Sequence, residues 1–306
     1  MGRKYAAASH ASDCRAQYPI VGNPITQVGH IHKIMKWFFS HHKLLRIVTF
    51  FVLVASLHNA NAQIDAKQIG IVVMHGSGGK PTGYVYELAT ALERKGYQVA
   101  NLEMPWSGRR AADVTAEEGV DELSQAITQL QKKGAKAIFL AGHSFGGTFA
   151  LYYAGENLVG GVIAIAPGGV DSDFYQSKIA NSLAHARQLI AEGRGDQKEE
   201  FANYENSRGD YTTLTPAKAY ISWYSKDSAM NASNAFKRVQ PNIPVLYIVP
   251  TNDYPFLRRA KAERWAQLPP NPKNELYEPI ASHLEAPTMS INEIVKWINM
   301  VLKDKN

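Results

Sequence analysis

The chain has 306 residues, 45% hydrophobic and 20% charged, a balance that suits one sizeable globular core and excludes wholesale disorder or a multi-pass membrane protein. Its formal charge of +6 is unevenly placed: of 33 Lys/Arg and 27 Asp/Glu, seven and one lie in residues 1–62, leaving 26 of each beyond. That electroneutral remainder argues against nucleic-acid partners. Cys14, the single cysteine, also lies in the leader, so the rest of the chain has no disulfide, thiolate metal site or cysteine nucleophile.

The first feature in chain order is Ile47–Leu57 (IVTFFVLVASL), an uncharged apolar run. It follows Lys36, His41, His42, Lys43 and Arg46 and runs into Ala60-Asn61-Ala62-Gln63. A basic segment, a short apolar stretch and a small-x-small site predict a secretory signal peptide that starts at Met35 and is cleaved after Ala62. Residues 1–34 carry no readable motif. The apolar run is about half of the roughly 20 residues a spanning helix needs, so the expectation is export without a stable membrane anchor, to a periplasm or the medium.

From Gln63 to Asn306 short β-branched runs alternate with longer helical stretches, the pattern of parallel strands joined by crossover helices. Strands are predicted at Gln68–Met74, Tyr97–Leu102, Ala135–Ala141, Gly161–Ala166, Ile243–Val249 and Glu275–Glu278. Helices are predicted at Tyr84–Lys95, Ala116–Lys133 and Ile291–Leu302, where apolar residues recur at helical spacing. The fold class is therefore α/β, a doubly wound, mostly parallel sheet covered on both faces. About residues 171–240 break the alternation. They read as a helical insertion, clearest at Ile179–Glu192, forming a cap over the carboxyl ends of the strands.

Gly142-His143-Ser144-Phe145-Gly146-Gly147 follows a predicted strand and opens a helical run. G-x-S-x-G in that context is a sharp turn that exposes the Ser144 hydroxyl and aims a helix N-terminus at the same place. A serine nucleophile needs a base. Six of the ten histidines lie in the leader, His143 sits inside the turn, His75 opens a glycine loop and His185 lies within a cap helix. His283 alone follows the last strand in a loop that reaches the same edge. Asp253, after the strand IPVLYIV, is the acid expected to orient it; Asp171, after the preceding strand, is the competitor. His75-Gly76-Ser77-Gly78-Gly79 supplies free backbone N–H groups for an oxyanion, with the Phe145 N–H as a second donor. A phosphate-loop reading fails because Pro81 follows Gly79-Lys80 and position 74 is Met, and Pro81 also occupies the third glycine's place in a dinucleotide motif.

HGSGG, YELATALERKGYQVANLEMP, GHSFGG, VPTND and ASH stand in an order that resembles the α/β-hydrolase superfamily across residues 68–303, most of all its esterase, monoacylglycerol-lipase and serine-aminopeptidase-like branch. The resemblance implies Ser144 as nucleophile, Asp253 as acid, His283 as base, and the N–H groups of Ser77 and Phe145 as oxyanion donors. One segment departs from the branch: Glu103–Arg110 (EMPWSGRR) stands where an Asp and a G-x-G-x-S loop are usual, so specificity is not carried over.

The expectation is an exported serine hydrolase that cleaves a small-molecule carboxylic ester through an acyl-enzyme. A peptidase or amidase on the same triad, and a non-catalytic binding protein on this scaffold, are the alternatives. No cofactor motif and no metal-ligand spacing is present, so neither is expected. Tyr204, Tyr211, Tyr220, Trp223 and Tyr224 are candidates for an acyl pocket or for packing within the cap, and Arg109 and Arg110 for holding a substrate carboxylate.

Overall fold

The computed structural model describes residues 64–303; the expected signal peptide, its cleavage site and residues 1–34 lie outside them. Eight strands follow in chain order: β1 (Ile69–Met74), β2 (Gln98–Leu102), β3 (Ala137–His143), β4 (Gly161–Ile165), β5 (Lys198–Glu205), β6 (Gly209–Pro216), β7 (Val245–Ile248) and β8 (Glu275–Tyr277). Six of them build one sheet in the order β2-β1-β3-β4-β7-β8, with every pairing parallel. The six predicted strands are these six, each shifted by no more than two residues at an end. β1, β3, β4 and β7 are buried at every position, which is why they read as unbroken apolar runs.

The helices are α1 (Tyr86–Arg94), α2 (Ala116–Lys132), α3 (Phe145–Tyr153), α4 (Asp173–Ala191), α5 (Ala217–Tyr224), α6 (Ala232–Arg238), α7 (Pro255–Gln267), α8 (Ala286–Met289) and α9 (Ile291–Lys303). Successive side chains of a strand point to opposite faces, so β1 divides its residues between two cores. Ile69, Ile71 and Val73 pack with Leu88 and Leu92 of α1 and Trp297 and Ile298 of α9. Val72 and Met74 pack on the other side with Leu123 and Ile127 of α2, Phe149 of α3 and the insertion. α2 begins where Thr115 and Glu118 exchange side-chain and backbone hydrogen bonds, a reciprocal cap that satisfies two otherwise orphaned donors.

The chain passes from β1 to β2 on one side, then returns to β3 on the other side of β1. At such a reversal the loops leaving the two strands diverge, and a crevice opens at their carboxyl ends. The loops after β1 and β3 carry the glycine segment and Ser144. β7 and β8 are parallel neighbours too, and their extensions stay paired: Thr251 and Asn252 donate to the carbonyls of Pro279 and Ala281, with a further bridge from Asn252 to Ser282. That register brings Asp253 and His283, thirty residues apart, to one edge.

The segment between β4 and β7 holds α4, α5 and α6 and, beyond the helical reading, an antiparallel hairpin of β5 and β6. β5 (KEEFANYE) is mostly charged or polar and buries few positions, so its alternation is faint in the sequence. α4 starts at Asp173 rather than Ile179 because the Ser172 hydroxyl accepts from the Tyr175 N–H and caps it. The hairpin is tied to the core: Thr213 and Thr215 donate to the carbonyls of Ala111 and Ala112, two alanines held at φ 54° and 58°. Trp223 of α5, fully buried, forms the seam. Its indole N–H donates to the Val114 carbonyl at 2.7 Å, and its rings stand 5.3 Å from those of both Trp106 and Phe149. It also lies against Gly119, where a β-carbon would come within 2.9 Å of the indole.

Candidate active site

Ser144 connects β3 to α3 with φ 54° and ψ −117°, a conformation that L residues adopt only when the surroundings enforce it. The enforcement is visible in its backbone partners. The Ser144 N–H donates to the Ile165 carbonyl at 2.8 Å, and the Ser144 carbonyl accepts from the N–H groups of Gly147, Thr148 and Gly168. The flanking glycines are dictated by contact: a β-carbon on Gly142 would lie 2.0 Å from the Gly146 carbonyl oxygen, and one on Gly146 would lie 2.7 Å from that of Met74. Among the described residues the Ser144 hydroxyl has no hydrogen-bond partner. It opens onto a cavity that the His283 ring also lines.

His283 Nδ1 is 2.7 Å from Asp253 Oδ1, and both side chains are buried, that of Asp253 completely. The same carboxylate oxygen accepts from the Tyr254 N–H, which fixes its orientation, while Oδ2 is buried without a partner. The His283 ring packs against those of Tyr254 and His143, at centroid distances of 4.7 and 4.9 Å. Asp171 lies elsewhere. Its Oδ2 accepts from the N–H and hydroxyl of Ser233 at the start of α6, and its Oδ1 is 4.0 Å from the Arg264 guanidinium. Of the two acids considered, Asp253 is the one against the histidine.

The glycine loop after β1 is braced from below. His75 Nε2 accepts from the Met104 N–H at 3.1 Å, so the ring carries its proton on Nδ1 and donates it to the Gly76 carbonyl. Trp106 donates its indole N–H to the His75 carbonyl, and Gly78 donates to the Trp106 carbonyl. Among the described residues no acceptor takes the N–H of Ser77 or that of Phe145 in the first turn of α3. Both residues line the cavity with Ser144, so two unengaged donors and a helix N-terminus border the serine.

The cavity is about 770 Å³, within the range of small-molecule sites. Phe145, Phe174, Tyr175, Tyr204, Tyr224, Tyr254 and Phe256 are among the residues that line it. Of the five aromatic candidates in the insertion, Tyr204 and Tyr224 therefore face it, Tyr211 does not line it, and Tyr220 and Trp223 are fully buried in the core. Arg109 and Arg110 do not line it. Arg109 is bonded to Glu103 within the 103–113 loop, and Arg110 is held by Glu122, Asp113 and the Glu103 carbonyl, which ties that loop to α2. Among the described residues no group of three His, Cys, Asp or Glu is arranged to hold a metal ion.

Residues 71–289 match the model of the alpha/beta hydrolase family. The chain belongs to that family. Two of the similar solved structures are the metagenome-derived lipolytic enzymes LipS and LipT, reported together (19% identity, TM-score 0.53), and the monoacylglycerol lipase of Paleococcus ferrophilus (19%, TM-score 0.54), each covering 76% of this chain and 94% of its own. A third, Est1E from Butyrivibrio proteoclasticus with bound ferulic acid, is 14% identical with a TM-score of 0.52 over 78% of this chain and 90% of its own. These likenesses speak to the fold. No curated protein sequence matches the chain.

Sequence reasoning missed one feature of this family member's site. His143 Nε2 donates to the His283 carbonyl at 2.9 Å, so the residue before the serine holds the loop of the histidine. Its position inside the turn was legible; its partner 140 residues away was not. Burial, and then the neighbouring His283, lower its pKa to about 3, and burial lowers that of His75 as well. A histidine with a depressed folded pKa takes up a proton only on unfolding over the interval between its folded and unfolded values. The stabilisation is therefore complete above about pH 6.5 and is lost as the pH falls toward 3. Chemical denaturation at pH 7, 6 and 5 is expected to show His143 contributing up to about 1.4 kcal/mol per pH unit below 6.5. In His143→Gln the slope should be shallower by that amount, and an identical slope would refute the assignment.

Proposed function

We propose that the protein is an exported serine hydrolase that cleaves carboxylic esters through Ser144, His283 and Asp253. The observation that carries this reading is the shared cavity. A serine in an enforced turn and a histidine backed by a buried carboxylate border the same space, beside two unengaged backbone donors. In the proposed cycle His283 Nε2 takes the Ser144 proton as the oxygen attacks the ester carbonyl, while Asp253 holds Nδ1–H and balances the imidazolium. The N–H groups of Ser77 and Phe145 take the oxyanion, which needs donors in place before charge develops. His283 then protonates the leaving alcohol, and water repeats the steps on the acyl-enzyme.

The test is covalent. A fluorophosphonate probe should label the protein in stoichiometric amount, with the adduct on the peptide that carries Ser144. Absence of labelling on folded protein would favour a binding role on the same scaffold. Matched p-nitrophenyl ester and p-nitroanilide substrates then separate an esterase from an amidase, and the ester is expected to turn over faster. Export rests on the leader pattern alone. Material recovered from the periplasm or medium should begin at Gln63, and a membrane-bound protein that retains Met1 or Met35 would contradict it.

A further inference from the structure

Along β5 alternate residues share a face, which places Phe201, Asn203 and Glu205 together. Asn203 and Glu205 line the cavity that Ser144 and His283 border. Asn203 is only 3% exposed, and its amide orientation is fixed, because Oδ1 accepts from both the Tyr175 hydroxyl and the Tyr204 N–H at 2.8 Å. The remaining end, Nδ2, is buried with no partner at hydrogen-bond geometry, and it faces the Tyr224 hydroxyl, which lines the same cavity. Glu205 repeats the pattern. Oε1 takes the Ser207 hydroxyl, and Oε2 is buried without a partner. Buried polar atoms are bonded in the great majority of cases, so two unmet ones on a single strand in the wall of one cavity point to something that binds there.

The hairpin tip sets where that is. A β-carbon on Gly78 would lie 3.4 Å from Glu205 Oε2 and 3.2 Å from Arg208 Nη1, so both groups overhang the glycine loop next to Ser77. The Arg208 guanidinium rests 4.2 Å above the Tyr211 ring and forms no ion pair among the described residues. The chemistry of the three groups restricts the occupant. An alkyl group leaves Asn203 and Glu205 unmet, a carboxylate or phosphate suits Asn203 and Arg208 but is repelled by Glu205, and an ammonium suits Glu205 but not the other two. A neutral group that both donates and accepts suits all three, and a hydroxyl is the simplest.

We propose that Asn203 and Glu205 form a polar subsite that recognises a hydroxyl of the ester substrate, so that hydroxylated esters are preferred over their alkyl counterparts. This rests on the hydrolytic reading above. A site built to bond a hydroxyl rejects the analogue that lacks it, because its own polar groups are then left unpaired.

Two pairs of esters test it on either side of the scissile bond: 2,3-dihydroxypropyl butyrate against propyl butyrate, and ethyl 3-hydroxybutyrate against ethyl butyrate. The mature protein is expected to favour the hydroxylated member of at least one pair by about tenfold or more in kcat/KM. In Asn203→Leu and in Glu205→Gln that ratio should fall toward one, the hydroxylated ester losing more than the plain one, with melting curves run on each variant. Glu205 is only partly buried, so Glu205→Gln keeps the test open if Asn203→Leu does not fold. Ratios within twofold for both pairs in the wild-type protein, or equal losses on both members in the variants, overturn the subsite while leaving hydrolysis intact. No turnover of any ester together with no fluorophosphonate adduct overturns both readings.

Discussion

Ser144→Ala is expected to lower ester turnover by a factor on the order of 10⁴–10⁶ in kcat, leaving only the residual effect of oxyanion donors and binding. The fold should survive, for two reasons. The hydroxyl has no hydrogen-bond partner among the described residues, so its removal breaks no internal bond. The backbone at φ 54° is held by the main-chain N–H and carbonyl of residue 144, which alanine retains. The measurement is kcat on a short-chain p-nitrophenyl ester, with a melting curve on the same sample. More than a tenth of wild-type activity in a folded variant would mean that a different nucleophile does the work.

Asp253→Asn is the second large effect, expected to cost up to about 10⁴ in kcat. Asparagine fits the space but lacks the charge that balances the imidazolium, and it frees the ring to take the other tautomer. Asp171→Asn is the comparison. Its carboxylate serves Ser233 and Arg264, so its loss should cost about 1 kcal/mol of stability and less than about tenfold in activity. Both variants should be assayed with their melting temperatures. If Asp171→Asn is the more severe in a folded protein, the acid has been assigned to the wrong strand.

The four central strands were legible because parallel strands buried on both faces must be apolar throughout, and only lengths of four to seven residues fit. Ser144 was legible because its turn forces small residues at fixed offsets, and His283 because few histidines lie beyond the leader. The choice between Asp253 and Asp171 was not settled by spacing, since each follows a strand that ends at the same edge. The structure separates them by partners distant in sequence: His283 lies against Asp253, and Ser233 with Arg264 against Asp171. The hairpin was obscured for a related reason. Lys198, Glu199 and Glu200 read as surface, and the inward side of β5 is partly polar because it lines a cavity rather than a core. The same polar lining makes Asn203 and Glu205 look unremarkable in the sequence.

Trp223 bears on how this protein can be re-engineered. The segment between β4 and β7 is the obvious place to exchange substrate preference by transplanting the corresponding segment of a relative. Here, however, the indole fills the space over Gly119, meets Trp106 and Phe149, and closes the Val114 carbonyl. A graft without a tryptophan at that point would leave a void the size of an indole beneath it and a carbonyl without its donor. A graft with one would still need glycine at 119. The segment is therefore an integral part of the core rather than an interchangeable module. Specificity is better altered at the Glu205–Arg208 tip, where Asn206, Ser207 and Arg208 are exposed and line the cavity.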